Sequence, residues 1–195
     1  WESLLDLAGL WASRDYQKTG DYCRQAVALA RTMDDRAALA HSLNRLGNWH
    51  VNAERPADAI PYQEEALRIF EAIDDIQGLA STHDLVAMTH SVIGNATQSM
   101  HHYDRAIPLL RRVDDRRPLS SALVNAATFT RGNWTSSALG IEELPASLGL
   151  NADDAAEEAI RIAREVGWRA GEVYAVSHTG LAQARQGQLR LGLQR

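Results

Sequence analysis

Residues 66–79 read Ala-Leu-Arg-Ile-Phe-Glu-Ala-Ile-Asp-Asp-Ile-Gln-Gly-Leu, and the same pattern recurs 40 residues earlier at 26–39 and 40 residues later at 106–119. Each copy begins with an alanine, carries an aspartate pair after an apolar residue, and ends on a leucine four positions beyond the second aspartate. A fourth copy begins at Ala159, shifted by 53 rather than 40 residues from the third, which indicates an insertion. Self-similarity at a fixed period predicts a repeat protein.

The repeating units have the periodicity of helices. In residues 59–70, apolar side chains fall at steps of three and four positions, with carboxylates and an arginine between them. The aspartate pairs lie between helices, where the first aspartate is expected to end one helix and the second to cap the next. The sequence therefore predicts an all-α ladder of antiparallel helix pairs.

The predicted organisation is a single repeat domain over residues 1–195, built of about five helix pairs. The expected units, in order, are residues 1–33, 37–73, 76–113, 117–166 with the insertion near 132–148, and a truncated 169–195. Because the sequence lacks an initiator methionine and stops within a helical pattern, we expect it to be a piece of a longer protein.

Composition argues against several classes of function. Of the 195 residues, 45% are hydrophobic and 23% are charged, which is enough for a buried core, and the formal net charge is −5. This acidic balance argues against direct binding of nucleic acid, which requires a concentrated basic face. No apolar run is long enough to predict a membrane span, and the single cysteine, Cys23, favours a reducing cytoplasm.

The sequence contains no recognisable catalytic motif. Neither a phosphate-binding loop of the form Gly-x-x-x-x-Gly-Lys-Ser/Thr nor a Gly-x-Ser-x-Gly elbow is present. His83 and His90 are seven residues apart, and the adjacent His101 and His102 point to different faces of a helix, so neither pair predicts a metal site. We therefore expect no enzyme, no catalytic residue, no metal and no cofactor, and a structural role for the Cys23 thiol.

A short pattern in the second unit points to a known family. Leu43, Leu46 and Gly47, followed by Ala59 and Ala66, stand at the spacing of the Leu…Leu-Gly…Ala…Ala pattern of the tetratricopeptide repeat. The chain resembles that family in its longer variety, with about 40 residues per unit. The resemblance implies a right-handed α-solenoid, in which small residues let helices approach closely and the first helix of each pair lines a concave groove.

The later part of the chain indicates the kind of protein in which these repeats occur. Residues 161–172 and 181–188 are similar to the helical-repeat regions of bacterial multidomain signalling ATPases, of LuxR-type and AfsR-type transcription regulators, and of nucleotide cyclases. A second similar group is the spindle-orientation adaptors of animal cells, which bind extended peptides. The Ala- and Arg-rich composition favours the bacterial group.

The resemblance also assigns side chains to the groove, at the family's ligand-facing positions counted from Gly47 and its equivalents. These are His41, Asn44, Arg45, Asn48 and Asn52 in the second unit, Ser81, Asp84, Met88 and Ser91 in the third, Asn125, Thr128 and Arg131 in the fourth, and Tyr174, Ser177, His178 and Arg185 in the last. Most of them carry amide, hydroxyl or guanidinium groups, which can bind a peptide backbone or a carboxylate.

Two features of these residues favour binding. Asn44 and Asn48 are four positions apart, so their carboxamides are expected to stand one turn apart on one helix face. Arg45 and Arg131 are expected to hold carboxylates. Against this, an exposed helix face is often merely hydrated, and that interpretation stays open for any single residue.

The insertion near 132–148 is a second candidate for binding, because departures from a regular repeat often map to the binding face. Trp134, Ile141 and Leu144 are apolar residues in a segment of otherwise loop-like composition. They are expected either to fold back onto the repeats or to contact a partner.

The sequence leaves two functions open. The first is a non-catalytic protein-binding or peptide-binding regulatory module of a larger bacterial signalling or transcription-regulating protein, whose partner is a peptide, a protein or a neighbouring domain of the same chain. The second is an architectural spacer or self-association region without a groove ligand, in which homo-oligomers form through the cut ends.

Overall fold

The computed structural model describes residues 1–130 and 151–185, and within them all regular structure is helical, as the repeat pattern predicts. The chain divides into two compact units, Trp1–Asn95 and Ala96–Arg195. The predicted insertion near 132–148 and the residues after 185 lie outside the described part. A single domain over the whole chain stays a prediction.

The first unit is a series of helices in which each packs on the helix before it. Its helices are α1 (Glu2–Trp11), α2 (Tyr16–Thr32), α3 (Arg36–Asn52), α4 (Ile60–Ala72) and α5 (Ile76–Ile93), with a short 3-10 helix at Pro56–Ala59. The first helices of successive pairs also meet, because α3 contacts α5.

The second unit repeats this arrangement. Its described helices are α6 (Ala96–Arg112), α7 (Arg116–Thr130), α8 (Ala152–Glu165) and α9 (Arg169–Arg185). Helix α7 packs on α6, α8 and α9. An exposed ion pair of 2.7 Å joins Arg111 on α6 to Glu158 on α8. The N-terminus of α8 is capped by Asn151, whose Oδ1 accepts a hydrogen bond of 2.8 Å from the Asp153 N–H.

One predicted helix begins differently from expectation. The sequence pattern predicts a helix from residue 56, whereas the α-helix begins at Ile60 after one turn of 3-10 helix. Pro61 lies in the first turn of α4, where its missing N–H costs nothing, but it cannot donate to a carbonyl further back. The carbonyl of Ala57 therefore receives no α-helical hydrogen bond from residue 61, which favours a 3-10 turn over Pro56–Ala59.

Trp49 fixes the packing of α3 on α2. It is 5% exposed, and its indole Nε1 donates to the Tyr16 carbonyl at 2.9 Å while the Tyr16 hydroxyl donates to the Trp49 carbonyl at 3.0 Å. Gly20 lies directly against the indole: a Cβ at this position would be 2.4 Å from Trp49 Cε2. The two helices can approach this closely only because residue 20 has no side chain.

Two further glycines mark close approaches in the first unit. A Cβ at Gly78 would lie 2.2 Å from Cδ1 of the fully buried Phe70, and a Cβ at Gly47 would lie 3.0 Å from Cγ of Gln63. The small residue Gly47 was expected to mark a close approach of two helices, and it lies where α3 meets α4.

The aspartate pairs end and start helices, as predicted, with one exception. Asp35 and Asp75 cap α3 and α5, each accepting a backbone hydrogen bond of 2.9 Å. Asp74 and Asp114 end α4 and α6 in the left-handed conformation, with φ of 55° and 52°. The first pair differs because α2 ends with extended backbone at Met33 (φ −94°, ψ 150°).

The two aspartates of one pair are expected to respond in opposite directions to substitution. Asp75→Ala removes a helix cap and is expected to lower the free energy of unfolding by about 1 kcal/mol. Asp74→Gly places glycine at a left-handed helix end and is expected to raise it by up to about 1 kcal/mol. Urea unfolding followed by circular dichroism measures both changes, and a shift of the same sign for both would contradict these roles.

Candidate functional site

A pocket of about 120 Å³ opens between α1, α2 and α3 in the first unit. Part of its lining is apolar or weakly polar and comes from all three helices: Ala8 from α1 and Ala12 from its C-terminal end, Cys23 from α2 and Trp49 from α3. The pocket therefore offers a small apolar space beside the indole.

The polar side of the pocket contains residues that the sequence assigns to a groove. Arg45, Asn48 and Asn52 line it together, because positions three, four and seven apart lie on one face of α3. The Asn52 Nδ2 donates to the Asn48 carbonyl at 3.0 Å, which holds the Asn52 carboxamide against its own helix. Tyr16 and Thr19 of α2 complete the polar lining.

Asn44 does not accompany Asn48 on the pocket face as expected. It is 6% exposed, and its Nδ2 donates to Thr82 Oγ1 of α5 at 2.6 Å. Thr82 in turn donates to the Gly78 carbonyl at 2.7 Å, so its hydroxyl is free to accept from Asn44. The carboxamides that line the pocket are therefore those of Asn48 and Asn52, whereas Asn44 joins α3 to α5.

Two titratable groups of the pocket lining, the Cys23 thiol and the Tyr16 phenol, are neutral in ordinary conditions because their pKa values are raised. Burial raises the pKa of the Cys23 thiol, and the positive charge of Arg45 offsets part of that rise. Burial also raises the pKa of the Tyr16 phenol, with a hydrogen bond to Asn52 acting in the opposite direction. A thiol with a raised pKa is a poor nucleophile, so this arrangement suits binding rather than covalent chemistry.

Three arginines surround this part of the first unit, and they differ in their partners. The guanidinium groups of Arg24 and Arg55 lie over the Trp49 ring, 5.0 and 5.2 Å from its centroid. Arg24 pairs with a neighbouring aspartate at 2.6 Å, and Arg55 lies 3.8 Å from another. Arg45 is exposed and forms no ion pair with any residue that the structure describes. It is therefore the arginine available to an incoming carboxylate.

The remaining predicted groove residues of the first unit have mixed surroundings. His41 is half-buried, with its ring edge-on to Phe70 at 5.0 Å. Ser81 donates to backbone carbonyls of its own helix, and Asp84 is buried. Met88 is 39% exposed, and Ser91 is half-buried. None of these five lines the pocket between α1 and α3.

In the second unit, the predicted groove residues of α7 and α9 meet each other. The Tyr174 hydroxyl donates to Asn125 Oδ1 at 2.6 Å, and the Tyr174 and His178 rings lie 4.2 Å apart. Thr128 donates to a carbonyl of its own helix, and Ser177 is exposed. Arg131, Trp134, Ile141, Leu144 and the side chain of Arg185 lie outside the described residues.

Several pocket residues were missed by the sequence analysis. Tyr16, Thr19 and Cys23 belong to α2, a second helix of a pair, whereas the family pattern assigns groove positions only to first helices. Trp49 is adjacent to Asn48, which was predicted to line the groove. Its large apolar side chain between two polar neighbours is the sequence feature that could have indicated its place in the pocket.

His50 of α3 is buried among aromatic side chains. It is 8% exposed and stacks on Tyr62 at 5.3 Å between ring centroids. Its Nδ1 is buried and forms no hydrogen bond to a described residue, with Asp58 Oδ2 at 3.8 Å. Burial lowers the pKa of His50, and the positive charge of Arg55 lowers it further.

The stability of the chain is expected to fall as the pH drops through the histidine range. Burial lowers the pKa of His50, His90 and His178 in the folded protein, so the unfolded chain binds more protons, starting near the usual histidine pKa of about 6.5. The loss of stability levels off below the folded pKa values. Urea unfolding at a series of pH values from about 7 to 5 measures it.

His50→Phe keeps an aromatic ring in the same slot and is the matched variant for this prediction. It is expected to reduce the dependence of stability on pH, because one of the three neutral imidazoles is gone. Stability that is constant or rises on acidification of the parent chain would contradict the burial of neutral histidines.

Two kinds of site are not found among residues 1–130 and 151–185. No group of three or more His, Cys, Asp or Glu side chains there is arranged to hold a metal ion. No described helix is both long and apolar enough to cross a membrane.

Residues 8–72 match the tetratricopeptide repeat family model, and these residues include the whole pocket. Among curated proteins, no sequence matches the chain.

Solved structures share the fold at low sequence identity. BtubC (BKLC) from P. vanneervenii matches with a TM-score of 0.76 and 17% identity over 98% of this chain and 74% of its own. A putative kinesin light chain with nearly identical tetratricopeptide-like repeats from Podospora anserina matches with a TM-score of 0.71 and 14% identity over 99% of this chain and 90% of its own.

A Signal Transduction ATPase with Numerous Domains (STAND) protein with a tetratricopeptide repeat sensor, from Pyrococcus horikoshii, matches with a TM-score of 0.73 and 13% identity over 97% of this chain. This chain covers 27% of the length of that protein. These matches show that the chain has an all-α repeat fold.

Proposed function

We propose, from the tetratricopeptide repeats at residues 8–72, that this chain is a non-catalytic module that binds a peptide or protein segment at the pocket between α1, α2 and α3. Repeats of this family are generally protein-interaction modules. The observation that carries the proposal is the meeting of Arg45, Asn48 and Asn52, three residues expected to contact a ligand, on one wall of a partly apolar pocket.

The chemistry of this wall fits an extended peptide. A carboxamide both donates and accepts hydrogen bonds, so Asn48 and Asn52 can satisfy a peptide N–H and carbonyl. Arg45 carries donors and a charge for a carboxylate. Cys23 and Trp49 remove apolar ligand surface from water without offering chemistry of their own.

We further propose that the module regulates a larger bacterial signalling or transcription-regulating protein in the cytoplasm, and that a neighbouring domain of that protein supplies the bound segment. The fold shared with a 27% portion of a STAND protein that has a tetratricopeptide repeat sensor supports this context. The resemblance of residues 161–172 to the repeat regions of bacterial signalling ATPases agrees with this context.

Selection of peptides from a displayed random library on the 195-residue chain tests the binding function. Counter-selection uses the double variant Arg45→Gln/Asn48→Ala. This variant is expected to bind the enriched peptides about tenfold more weakly than the parent chain does. The matched control is Arg36→Gln, an exposed arginine at the start of the same helix. Peptides that bind the double variant as tightly as the parent chain would contradict the proposal.

A second function, as a spacer or self-association region, is favoured by exposed leucines on α1. Leu7 is 37% exposed and Leu10 is 66% exposed, and they lie three positions apart on one face. If this function holds, sedimentation equilibrium shows dimers that disappear in Leu10→Ser, and the peptide library yields no ligand. Monomers at all concentrations would contradict it.

A further inference from the structure

We infer that the pocket between α1, α2 and α3 takes one aliphatic side chain of about leucine size from an acidic peptide, whose neighbouring carboxylate pairs with Arg45. This inference rests on the proposed function and specifies its ligand. It follows from the size of the pocket, its lining and the distribution of charge around it.

The size of the pocket limits the side chain that enters. Its volume of about 120 Å³ is smaller than that of an engineered apolar cavity of about 150 Å³ that holds benzene. An aliphatic side chain fits this space, whereas an indole is too large for it. An alanine methyl would leave most of the space empty and lose the contacts that fill it.

The lining favours an apolar occupant at the bottom. Ala8 is 1% exposed, Cys23 is 2% exposed and Trp49 is 5% exposed, so these three side chains present buried apolar surface to the pocket. A buried thiol behaves as a small apolar group. A polar side chain placed there would lose its hydration without gaining a strong partner.

The charge at the rim specifies the neighbouring residue of the ligand. Arg45 reaches from α3 towards α1, because a Cβ at Gly9 would lie 3.8 Å from its Nη2. Arg24 and Arg55 each have an aspartate beside them, whereas Arg45 has no ion pair among the described residues. Arg45 is also the one charged residue in the lining of this pocket. A carboxylate next to the aliphatic side chain therefore completes the charge balance of the site.

Four synthetic hexapeptides of the form acetyl-Gly-Ser-X-Z-Gly-Ser-amide test this inference by nitrogen-15 NMR titration of the 195-residue chain. The pairs X-Z are Leu-Glu, Ala-Glu, Trp-Glu and Leu-Gln. Shifts of the Asn48 and Asn52 side-chain amides and of Arg45 Nε report binding at the pocket. The peptide with Leu-Glu is expected to bind about tenfold more tightly than that with Ala-Glu and about three- to fivefold more tightly than that with Leu-Gln.

Two variants locate the binding. Ala12→Leu places a side chain at the exposed rim of the pocket without disturbing a buried residue, and it is expected to abolish the difference between the Leu and Ala peptides. Arg45→Gln is expected to abolish the difference between the Glu and Gln peptides, and Arg36→Gln to leave both differences intact.

Four outcomes would overturn the inference. Equal affinity for Leu-Glu and Leu-Gln, or for Leu-Glu and Trp-Glu, contradicts the assigned ligand chemistry. Shifts at Asn125 and Tyr174 without shifts at the pocket would show peptide binding elsewhere in the chain, so the inference would fail while peptide binding stands. If library peptides bind but no hexapeptide shifts the NMR signals of the pocket residues, the inference would likewise fail while peptide binding stands. If no peptide binds at all, the proposed function would be contradicted as well.

Discussion

Trp49→Ala is expected to lower the free energy of unfolding by about 3–5 kcal/mol, which is the range for removing a large buried aromatic side chain. The indole is 5% exposed and fills the space that Gly20 leaves between α2 and α3. The substitution also removes the donor to the Tyr16 carbonyl. The loss therefore combines a cavity with the removal of a part-buried hydrogen bond.

Trp49→Phe separates these two contributions. A phenyl ring retains much of the packing but has no N–H, so the expected loss is about 1–2 kcal/mol. Urea unfolding followed by circular dichroism measures both variants. A loss below about 1 kcal/mol for Trp49→Ala would contradict the role of Trp49 in joining α2 to α3.

Gly78→Ala is expected to lower the free energy of unfolding by about 1–3 kcal/mol through overpacking. The added Cβ would lie 2.2 Å from Cδ1 of Phe70, whose side chain is fully buried and has little room to move. Elsewhere in a helix the same change is stabilising by up to about 1 kcal/mol. The sign of the effect therefore reports whether α4 and α5 approach as closely as described.

Gly9→Ala is the matched control for this prediction. Gly9 lies within α1, and a Cβ there would meet only Arg45 Nη2, at an ordinary contact distance of 3.8 Å. It is expected to raise the free energy of unfolding by up to about 1 kcal/mol. A double change, Gly78→Ala with Phe70→Leu, is expected to recover part of the loss of the single glycine variant. Stabilisation by Gly78→Ala alone would contradict the close packing.

The boundaries of the helices could be predicted because their signals are local. An aspartate such as Asp75 caps the helix that it precedes through a backbone N–H three residues away, so its effect is readable from the sequence. The start of α4 was predicted too early because Pro56 and Pro61 both suit a first turn, and the sequence does not decide between them. The extended end of α2 at Met33 also has no local signal that distinguishes Asp34 from Asp74.

The candidate site could be predicted only in part, because its geometry depends on distant residues. Arg45, Asn48 and Asn52 share a face of α3 by helical periodicity alone. The burial of Asn44 depends on Thr82, which lies 38 residues away in sequence on α5. The bottom of the pocket depends on Cys23 of α2, which no spacing within α3 could indicate.

Alkylation of Cys23 tests most directly whether a partner binds at the pocket between α1, α2 and α3. It is the one cysteine in the sequence, it lines the pocket, and it is 2% exposed. The 195-residue chain is treated with iodoacetamide under native conditions, with and without a library-selected peptide, and modification is followed by mass spectrometry.

At a peptide concentration of about ten times Kd, alkylation of Cys23 is expected to slow about tenfold, because only the free fraction of the protein reacts. In Arg45→Gln the same peptide concentration is expected to have much less effect. A bound peptide that leaves the alkylation rate of Cys23 unchanged, or that slows it equally in the parent chain and in Arg45→Gln, would contradict the account, because the partner would then bind elsewhere.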